Sequence, residues 1–180
     1  MIDAEGFLEG AVFIPSPNCD HRPEGAEVEL VVIHNISLPP GEFGGEGVTQ
    51  LFTNTLDPKE HPFYATIEGL RVSSHFYIRR TGEILQYVPV NRRAWHAGVS
   101  SWRGRERCND FSVGIELEGT DEMPYAENQY ISLEVLTHAL LEKYPGLEYA
   151  GHCDISPGRK TDPGASFDRE RYGRIFCRRA

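Results

Sequence analysis

The amino-acid sequence predicts an α/β protein, in which a single domain spanning residues 1–180 folds around a central mixed β-sheet flanked by α-helices. Two patterns carry this prediction. Apolar, β-branched runs indicate buried strands, and apolar residues at helical spacing occur between and after those runs. No internal repeat, low-complexity tract or long linker divides the chain, and 180 residues are enough to bury a hydrophobic core.

The first half of the chain predicts a strand, a helix and a hairpin. Residues 27–36 contain a continuous apolar run, which is typical of a strand covered on both faces. Residues 48–55 carry apolar side chains at helical spacing and predict a short helix that ends before Pro58. Residues 73–80 and 83–90 are two β-rich runs around a short glycine turn, so we expect a β-hairpin.

The second half predicts another strand and two helices. Residues 111–119 alternate between apolar and polar side chains, which indicates a strand with one apolar face. Residues 130–144 place apolar side chains along one side of a helix that the following Pro-Gly pair ends. We expect Asp168 to cap a last helix, with Phe167 and Tyr172 in contact across its first turn.

Three segments have no regular spacing of apolar residues, so we expect irregular structure there. Residues 13–23 are rich in proline and predict an irregular N-terminal arm. Residues 91–109 combine two tryptophans, a histidine and five arginines, a composition found in ligand-binding loops and on ordinary surfaces alike. Residues 151–164 form a loop rich in glycine and proline that carries a histidine, a thiol, carboxylates and a lysine.

Composition limits the classes of partner. The formal net charge of -9 argues against a general nucleic-acid binder, which would be basic. Residues 1–6 have neither the basic segment nor the start of the apolar segment of a signal peptide, so we expect a cytoplasmic protein without a membrane partner. We also expect a monomer. Free thiols are then favoured over two disulfides for the four cysteines. These are Cys19, Cys108, Cys153 and Cys177.

Residues 151–164 also predict a metal site. His152 lies in this loop, and His34 lies where an apolar strand ends, so the two could supply imidazole ligands to zinc. The alternative is that each histidine is an ordinary residue, either hydrogen-bonded in the core or exposed. Spacing alone does not decide between this alternative and a metal site. Spacing also leaves the third ligand open. The candidates are Cys153, Asp154 and Asp162, with His21, His61, His75 and His96 as further possible donors.

Two more side chains are candidates for catalysis. Glu116 could act as a general base beside a metal, although its pattern alone favours a solvated strand face shared with Glu118. Lys160 could stabilise negative charge that develops on a carbonyl oxygen, although taken alone it is an ordinary surface lysine. Nucleophilic catalysis by Cys153 is disfavoured, because the adjacent His152 would point away from it on an extended chain.

Four motifs carry a resemblance to a known family. They are VIHNISLPPGEFGG at 32–45, RRAWHAGVS at 92–100, GRERCNDFSVGIELEGTD at 104–121, and Gly-His at 151–152 with RKTDPG at 159–164. In this order they resemble the zinc-dependent N-acetylmuramoyl-L-alanine amidases of the second amidase family, which also includes phage amidases and peptidoglycan recognition proteins. Within the family, they match best the cytosolic enzymes that act on 1,6-anhydro-muropeptides.

The resemblance implies a peptidoglycan-recognition-protein-like fold and one zinc ion held by His34, His152 and Asp162. It also implies that Glu116 and Lys160 are catalytic. The family's reaction is hydrolysis of the amide between N-acetylmuramic acid and the L-alanine of the stem peptide. The implied setting is cytosolic peptidoglycan recycling, with indirect control of β-lactamase induction. The implied substrate contacts are Asn35, Arg71, Trp95 and Arg107.

Two other functions remain alternatives at this point. Some relatives bind peptidoglycan fragments without cutting them, so the chain could be a non-catalytic binding module. An exported amidase that acts on the intact cell wall is the other alternative. A complete set of ligands together with Glu116 and Lys160 favours an enzyme over a binding module, and the N-terminal residues favour the cytosolic enzyme.

Overall fold

The computed structural model describes residues 1–177 of the chain. Its strands are β1 (Val12–Phe13), β2 (Cys19–His21), β3 (Leu30–Ile36), β4 (Phe76–Ile78), β5 (Ile84–Gln86), β6 (Arg92–Ala94), β7 (Ser101–Trp102), β8 (Arg105–Glu106), β9 (Ser112–Glu118) and β10 (Glu148–Gly151). Its helices are α1 (Gly47–Thr53), α2 (Pro62–Thr66), α3 (Glu127–Lys143), α4 (His152–Ile155) and α5 (Arg169–Cys177), with a 3-10 turn at Cys108–Asp110.

A six-stranded sheet forms the centre of the molecule, with the strand order β1-β5-β4-β9-β3-β10. Strands β4 and β5 pair antiparallel, as the predicted hairpin requires, and every other neighbouring pair in this sheet is parallel. The prediction of an α/β fold with a central mixed sheet is therefore confirmed. Strands β3 and β9 are the longest, at seven residues each, and lie side by side within the sheet.

Both faces of β3 are buried, as its continuous apolar run predicts. Val31 and Ile33 belong to the larger hydrophobic cluster, which also contains Leu133, Leu136 and Leu140 of α3. Leu30 and Val32 belong to a separate cluster on the opposite face, which also contains Ala97 and Ile155. Strand β3 is thus held between two apolar layers, which fixes the position of the residues at its carboxyl end.

The three predicted helices occur where the spacing places them, whereas the short helices α2 and α4 were not predicted. Helix α1 ends at Thr53, before Pro58, and α3 ends just ahead of the Pro-Gly pair. Asp168 caps α5, because its Oδ1 accepts the backbone N–H of Arg171 at 2.8 Å. The rings of Phe167 and Tyr172 lie 5.6 Å apart, which confirms the predicted contact across the first turn. Every helix within residues 1–177 is too short or too polar to cross a lipid bilayer.

The three segments predicted to be irregular contain short elements. Strand β2 in the N-terminal arm pairs antiparallel with β6, and β7 pairs with β8 inside residues 91–109. The segment 151–164 starts at the end of β10 and continues into α4. The predictions of loops were wrong at these places, because strands of two to four residues are too short to show a period and form through contacts with distant parts of the chain.

Candidate metal centre

The centre lies at the carboxyl ends of two neighbouring parallel strands. His34 is in β3, near its end. Strand β10 pairs with β3 so that Gly151 lies opposite Ile33, and the next residue, His152, begins α4 beside His34. Parallel strands place their carboxyl ends at one edge of the sheet, which is where α/β proteins bind ligands. Asp162 reaches the same place from the loop after α4, and its carbonyl accepts the backbone N–H of Cys153 at 2.9 Å.

Three potential ligand atoms converge at this edge. The Nδ1 atoms of His34 and His152 are 2.9 Å apart, and Asp162 Oδ2 lies 3.1 Å from the first and 3.0 Å from the second. Both histidines are buried, and Asp162 is half-buried. Among the residues that the structure describes, this is the group of histidine, cysteine and carboxylate side chains whose geometry could hold a metal ion.

The donor set fits zinc. Two imidazole nitrogens and one carboxylate oxygen are typical of a catalytic zinc site, which keeps a fourth position open. Zinc bonds of about 2.0–2.2 Å in a tetrahedron place ligand atoms about 3.3 Å apart, so the observed triangle needs only a small expansion. The far nitrogen of each imidazole also has a partner, as metal-binding histidines require. His152 Nε2 meets the Ala97 carbonyl at 3.1 Å, and His34 Nε2 meets His96 Nδ1 at 2.9 Å.

The charges of these side chains suit metal binding. Burial alone would raise the pKa of Asp162, but its close contacts with His152 and His34 outweigh that effect and hold the pKa well below its usual range. Asp162 is therefore a carboxylate at neutral pH. Burial lowers the pKa of His34 to about 4, and the hydrogen bond with Asp162 only partly opposes this shift. A neutral imidazole with a free lone pair is the form that binds a metal.

Glu116 is paired in register with His34 across the β3–β9 ladder, so the two side chains project from the same face of the sheet. The interpretation of this face as solvated was wrong, since Glu116 is only 8% exposed and Glu118 only 3%. A sequence pattern shows which residues share a face but not what covers that face. Glu118 accepts backbone N–H groups from Gly44 and Arg80, whereas Glu116 Oε2 is buried without a hydrogen-bond partner.

The buried position of Glu116 shifts the pKa of its carboxyl group. Burial, followed by the charge of Asp162, raises the pKa of Glu116 well above its usual range, and the Lys160 ammonium opposes the shift. A carboxyl group perturbed in this way, next to a possible metal site, is a candidate for proton transfer. Lys160 itself is exposed, as expected for a lysine at the edge of a cleft.

The alternative ligands of the loop have other partners. Asp154 forms an ion pair with Arg169 at 2.6 Å and accepts the backbone N–H of Gly151 at 2.7 Å. Cys153 Sγ lies 3.0 Å from Arg169 Nη2. Burial and then the charge of Asp154 raise the pKa of the Cys153 thiol, which makes it a poor nucleophile. Within residues 1–177 all four cysteines are free thiols.

The other histidines are placed elsewhere. His61 accepts the N–H of Phe63 at the start of α2, and His21 is exposed in β2. His75 is buried, and its Nδ1 accepts the N–H of Gly114. His96 contacts Nε2 of His34, on the side of the ring opposite the three converging atoms. It is therefore a neighbour of a candidate ligand rather than a ligand itself.

A cleft of about 770 Å³ opens at the centre, and Lys160, Asp162 and Asn35 all line it. Asn35 is held by a hydrogen bond of 2.8 Å from its Nδ2 to Asp121 Oδ1. Sequence reasoning missed Asp121, although it lies in one of the motifs. The apolar wall of the cleft is formed by Leu38, Leu51, Phe63, Ile67 and Leu70.

The other three predicted substrate contacts do not line this cleft. Arg71 is exposed and directly follows Leu70 of the cleft wall. Arg107 lines a second cavity of about 500 Å³. Arg159, which sequence reasoning also missed, lines both cavities and donates to the carbonyls of Ala97 and Val99. Trp95, immediately before His96, is half-buried, and its backbone N–H donates to the hydroxyl of Ser73.

Comparison with known proteins finds a matching family model and several relatives. Residues 24–165 match the family model described as N-acetylmuramoyl-L-alanine amidase. The 1,6-anhydro-N-acetylmuramyl-L-alanine amidase AmpD of Escherichia coli (strain K12) is 58% identical over 174 residues, covering 96% of this chain and 95% of that protein. A crystal structure of a selenomethionine derivative of AmpD matches with a TM-score of 0.94 and 56% identity, covering 97% of this chain and 99% of the other.

A more distant structure contains a substrate. It is the complex of the E. coli N-acetylmuramyl-L-alanine amidase AmiD with anhydro-N-acetylmuramic acid-L-Ala-D-gamma-Glu-L-Lys. It is 27% identical, with a TM-score of 0.61, and the match covers 86% of this chain and 60% of that one. The family model covers most of the sequence, and the first of these relatives matches almost end to end. The chain therefore belongs to the N-acetylmuramoyl-L-alanine amidase family.

Proposed function

We propose that this chain is a zinc-dependent amidase that hydrolyses the amide bond between 1,6-anhydro-N-acetylmuramic acid and the L-alanine of the stem peptide. The convergence of His34, His152 and Asp162 within 3.1 Å is the observation that carries the proposal. The 58% identity to an E. coli enzyme of that name supports the same substrate. We further propose that residues 1–180 form one domain with one zinc ion.

The proposed ligands are the Nδ1 atoms of His34 and His152 and a carboxylate oxygen of Asp162. Zinc bound there would supply an acidified water and would polarise a carbonyl group. The protein contributes three prepositioned ligands, of which His34 lies in β3 and His152 directly follows the neighbouring strand β10. It also contributes the low dielectric of a site in which both histidines are buried, and this strengthens every charge interaction near the reacting bond.

Glu116 would act as the general base and then as the general acid. Its carboxylate would accept the proton of the attacking water and deliver it to the leaving amine of L-alanine. The raised pKa of Glu116 suits this role, because a base that returns its proton should titrate nearer to neutral pH than an ordinary glutamate does. The Lys160 ammonium would stabilise the negative charge that develops on the carbonyl oxygen.

Four side chains would bind the rest of the substrate. Arg71 and Arg107 would pair with carboxylates of the stem peptide, since guanidinium groups bind carboxylates through two parallel hydrogen bonds. Trp95 would stack on the apolar face of the sugar, and Asn35 would contact the substrate from the cleft wall. The AmiD structure with its anhydro-muropeptide supports a substrate of this chemical class.

In the cell, we propose that the protein is a cytoplasmic monomer that recycles peptidoglycan fragments. By removing anhydro-muropeptides it would also lower the signal for β-lactamase induction. A non-catalytic binding module is the alternative. The unpaired carboxyl of Glu116 favours the enzyme, because a purely binding site gains nothing from a buried group without a partner.

One experiment tests the enzyme against the binding module. The zinc content of the purified protein is measured by elemental analysis, and an anhydro-muropeptide is incubated with the same sample. We expect about one zinc per chain and chromatographic release of the free peptide. Tight binding of the muropeptide without release of peptide would reject the amidase proposal.

A further inference from the structure

A chain of hydrogen bonds runs from His34 into the interior of the protein. His34 Nε2 lies 2.9 Å from His96 Nδ1, and His96 Nε2 lies 3.1 Å from Ser112 Oγ. The hydroxyl of Ser112 in turn lies 2.6 Å from the backbone carbonyl of Cys108. All four residues are buried, so these groups depend on one another for hydrogen bonds.

The carbonyl of Cys108, at the end of this series of hydrogen bonds, fixes the direction of every bond in the series. A carbonyl oxygen can only accept, so the hydroxyl of Ser112 donates its single proton to Cys108. Ser112 Oγ must then accept from His96, which places the His96 proton on Nε2. His96 Nδ1 is left as an acceptor and receives the proton of His34 Nε2. The lone pair of His34 Nδ1 consequently faces His152 and Asp162.

The segment formed by His96 and its neighbour Ala97 also orients the second candidate ligand, His152. The carbonyl of Ala97 accepts from His152 Nε2 at 3.1 Å, which leaves His152 Nδ1 free to bind. Asn109 holds this segment in place, because its Oδ1 accepts the backbone N–H groups of both His96 and Ala97, at 3.1 and 2.8 Å. One short segment therefore contacts the far nitrogens of both histidines.

The approach of His96 to the sheet depends on a glycine. A Cβ atom added to Gly114 of β9 would lie 2.5 Å from His96 Cγ and 2.7 Å from its Nδ1. These distances are too short for any side chain. Gly114 precedes Glu116 on the same face of β9, so the missing side chain provides the space in which the imidazole ring reaches His34.

We propose that His96 is a positioning residue, which selects the tautomer of His34 and thereby presents its Nδ1 to the metal. This inference rests on the proposed function, since it assumes that His34 is a ligand. His96 does not touch the metal in this arrangement and acts only through His34. Partners of this kind hold ligands in the orientation that binding requires, and their loss typically costs about 10- to 100-fold in metal affinity.

The test compares two nearly isosteric substitutions, His96→Asn and His96→Leu. Asparagine keeps an acceptor at the position of Nδ1, whereas leucine fills the same space without one. The zinc dissociation constant of each is measured by competition with a chromophoric chelator. We expect H96L to bind zinc about 10- to 100-fold more weakly than the unsubstituted protein, and H96N to bind about tenfold more tightly than H96L. Equal affinities for the two variants would overturn the proposal.

A second measurement needs no variant and no metal. The nitrogen-15 chemical shifts of the His34 ring in the metal-free protein report which nitrogen carries the proton. The proposal requires the proton on Nε2, and a proton on Nδ1 would reject it. Failure of the proposed function has a different signature, because the unsubstituted protein would then fail to bind zinc whatever the tautomer of His34.

Discussion

His34 and Glu116 are direct partners in the parallel ladder between β3 and β9. A candidate metal ligand and a candidate proton-transfer group are therefore held side by side by the hydrogen bonds of the sheet. Groups placed on strands are positioned more rigidly than groups on loops, and small errors of position are costly in catalysis.

Replacing Glu116 with glutamine should remove proton transfer and preserve the shape of the site. We expect turnover of an anhydro-muropeptide to fall by about 10²–10⁴-fold, the range typical for loss of a general acid-base group. Zinc content should remain near that of the unsubstituted protein, because Glu116 is not one of the three converging ligands. Normal turnover by E116Q would show that the proton is transferred by another group.

Glu118 provides the control for that experiment. It is a second buried carboxyl on the same face of β9, but its oxygens accept the N–H groups of Gly44 and Arg80. The E118Q variant should therefore lose some thermal stability and keep both its zinc and most of its turnover.

Removal of the metal should inactivate and destabilise the protein. A ligand that binds only the folded state stabilises it by about 2.7 kcal/mol at a free concentration of 100 times its dissociation constant. We expect chelation to lower the melting temperature, and Asp162→Ala to abolish the response to added zinc. The control is Cys153→Ala, which should bind zinc normally. A loss of zinc from C153A would show that the third ligand was assigned to the wrong residue.

His75 should make the folded protein sensitive to acid. Burial lowers the pKa of His75 to about 3, and the positive charge of Arg22 adds to the effect. The unfolded chain takes up a proton on this residue below about pH 6.5, whereas the folded protein does not. The free energy of unfolding should therefore be at its full value above pH 6.5 and decrease towards pH 3, by up to about 1.4 kcal/mol per pH unit.

Urea unfolding of the metal-free protein at several pH values checks this prediction. The variant His75→Asn keeps an acceptor for the N–H of Gly114 but cannot titrate, so its stability should depend less steeply on pH. The exposed His21 is the matched control, and H21N should follow the unsubstituted protein. An unchanged slope in H75N would mean that other groups cause the acid sensitivity.

Arg22 should be important for stability rather than for catalysis. Arg22 is half-buried, and its guanidinium donates to four backbone carbonyls, which would lose this partner in an alanine variant. These carbonyls belong to Val90, Asn109, Asp110 and Ser112. Each buried acceptor left without a partner costs about 1–3 kcal/mol, so we expect R22A to lose at least about 3 kcal/mol in chemical unfolding.

Two further variants calibrate that loss. Arg22→Lys keeps the charge but offers fewer donors in a different geometry, so it should recover only part of the stability. Arg174 pairs with Glu170 on the exposed surface of α5, and R174A should change the free energy of unfolding by less than about 1 kcal/mol. Equal effects of R22A and R174A would contradict the assigned role of Arg22.

Arg107 should distinguish long from short substrates. Its side chain is 71% exposed, and although its Nε forms an ion pair of 3.4 Å with Asp110, the exposed guanidinium can still reach a carboxylate of a bound stem peptide. A hydrogen bond to a charged group contributes about 1.5–3 kcal/mol, and we expect R107A to raise KM about 10- to 100-fold for a substrate with a full stem peptide. Hydrolysis of a substrate that carries only L-alanine should be unaffected. Equal losses on both substrates would place Arg107 near the reacting bond instead.

The sequence predicts the long elements well because they carry their own patterns. Strands β3 and β9 are recognisable from an apolar run and from a clean alternation, and α3 from its helical spacing. Strand β10 has four residues and no such pattern, yet it brings His152 to the site by pairing with β3. Its position is a property of the assembled sheet, so local sequence cannot reveal it.

The residues of the site, too, can be predicted only in part from the sequence. Histidines at a strand end and in a polar loop indicate a metal centre, but spacing alone does not choose Asp162 over Cys153 or Asp154. The burial of Glu116 depends on how distant segments fold over its face of the sheet. The contact between His96 and Gly114 joins residues 18 positions apart in sequence, with nothing in either residue to indicate the other. These relationships exist only in three dimensions.

The hydrogen bond from the Cys153 backbone to the Asp162 carbonyl fastens the base of the loop between two of the candidate ligands. The tip of that loop can therefore change in length or composition while the ligands at its base keep their separation. Doubling a flexible loop costs only about 0.6 kcal/mol in closure entropy. Because Arg159 lies on this loop and lines the cleft, selection for new peptide preferences could reshape this wall without rebuilding the metal centre.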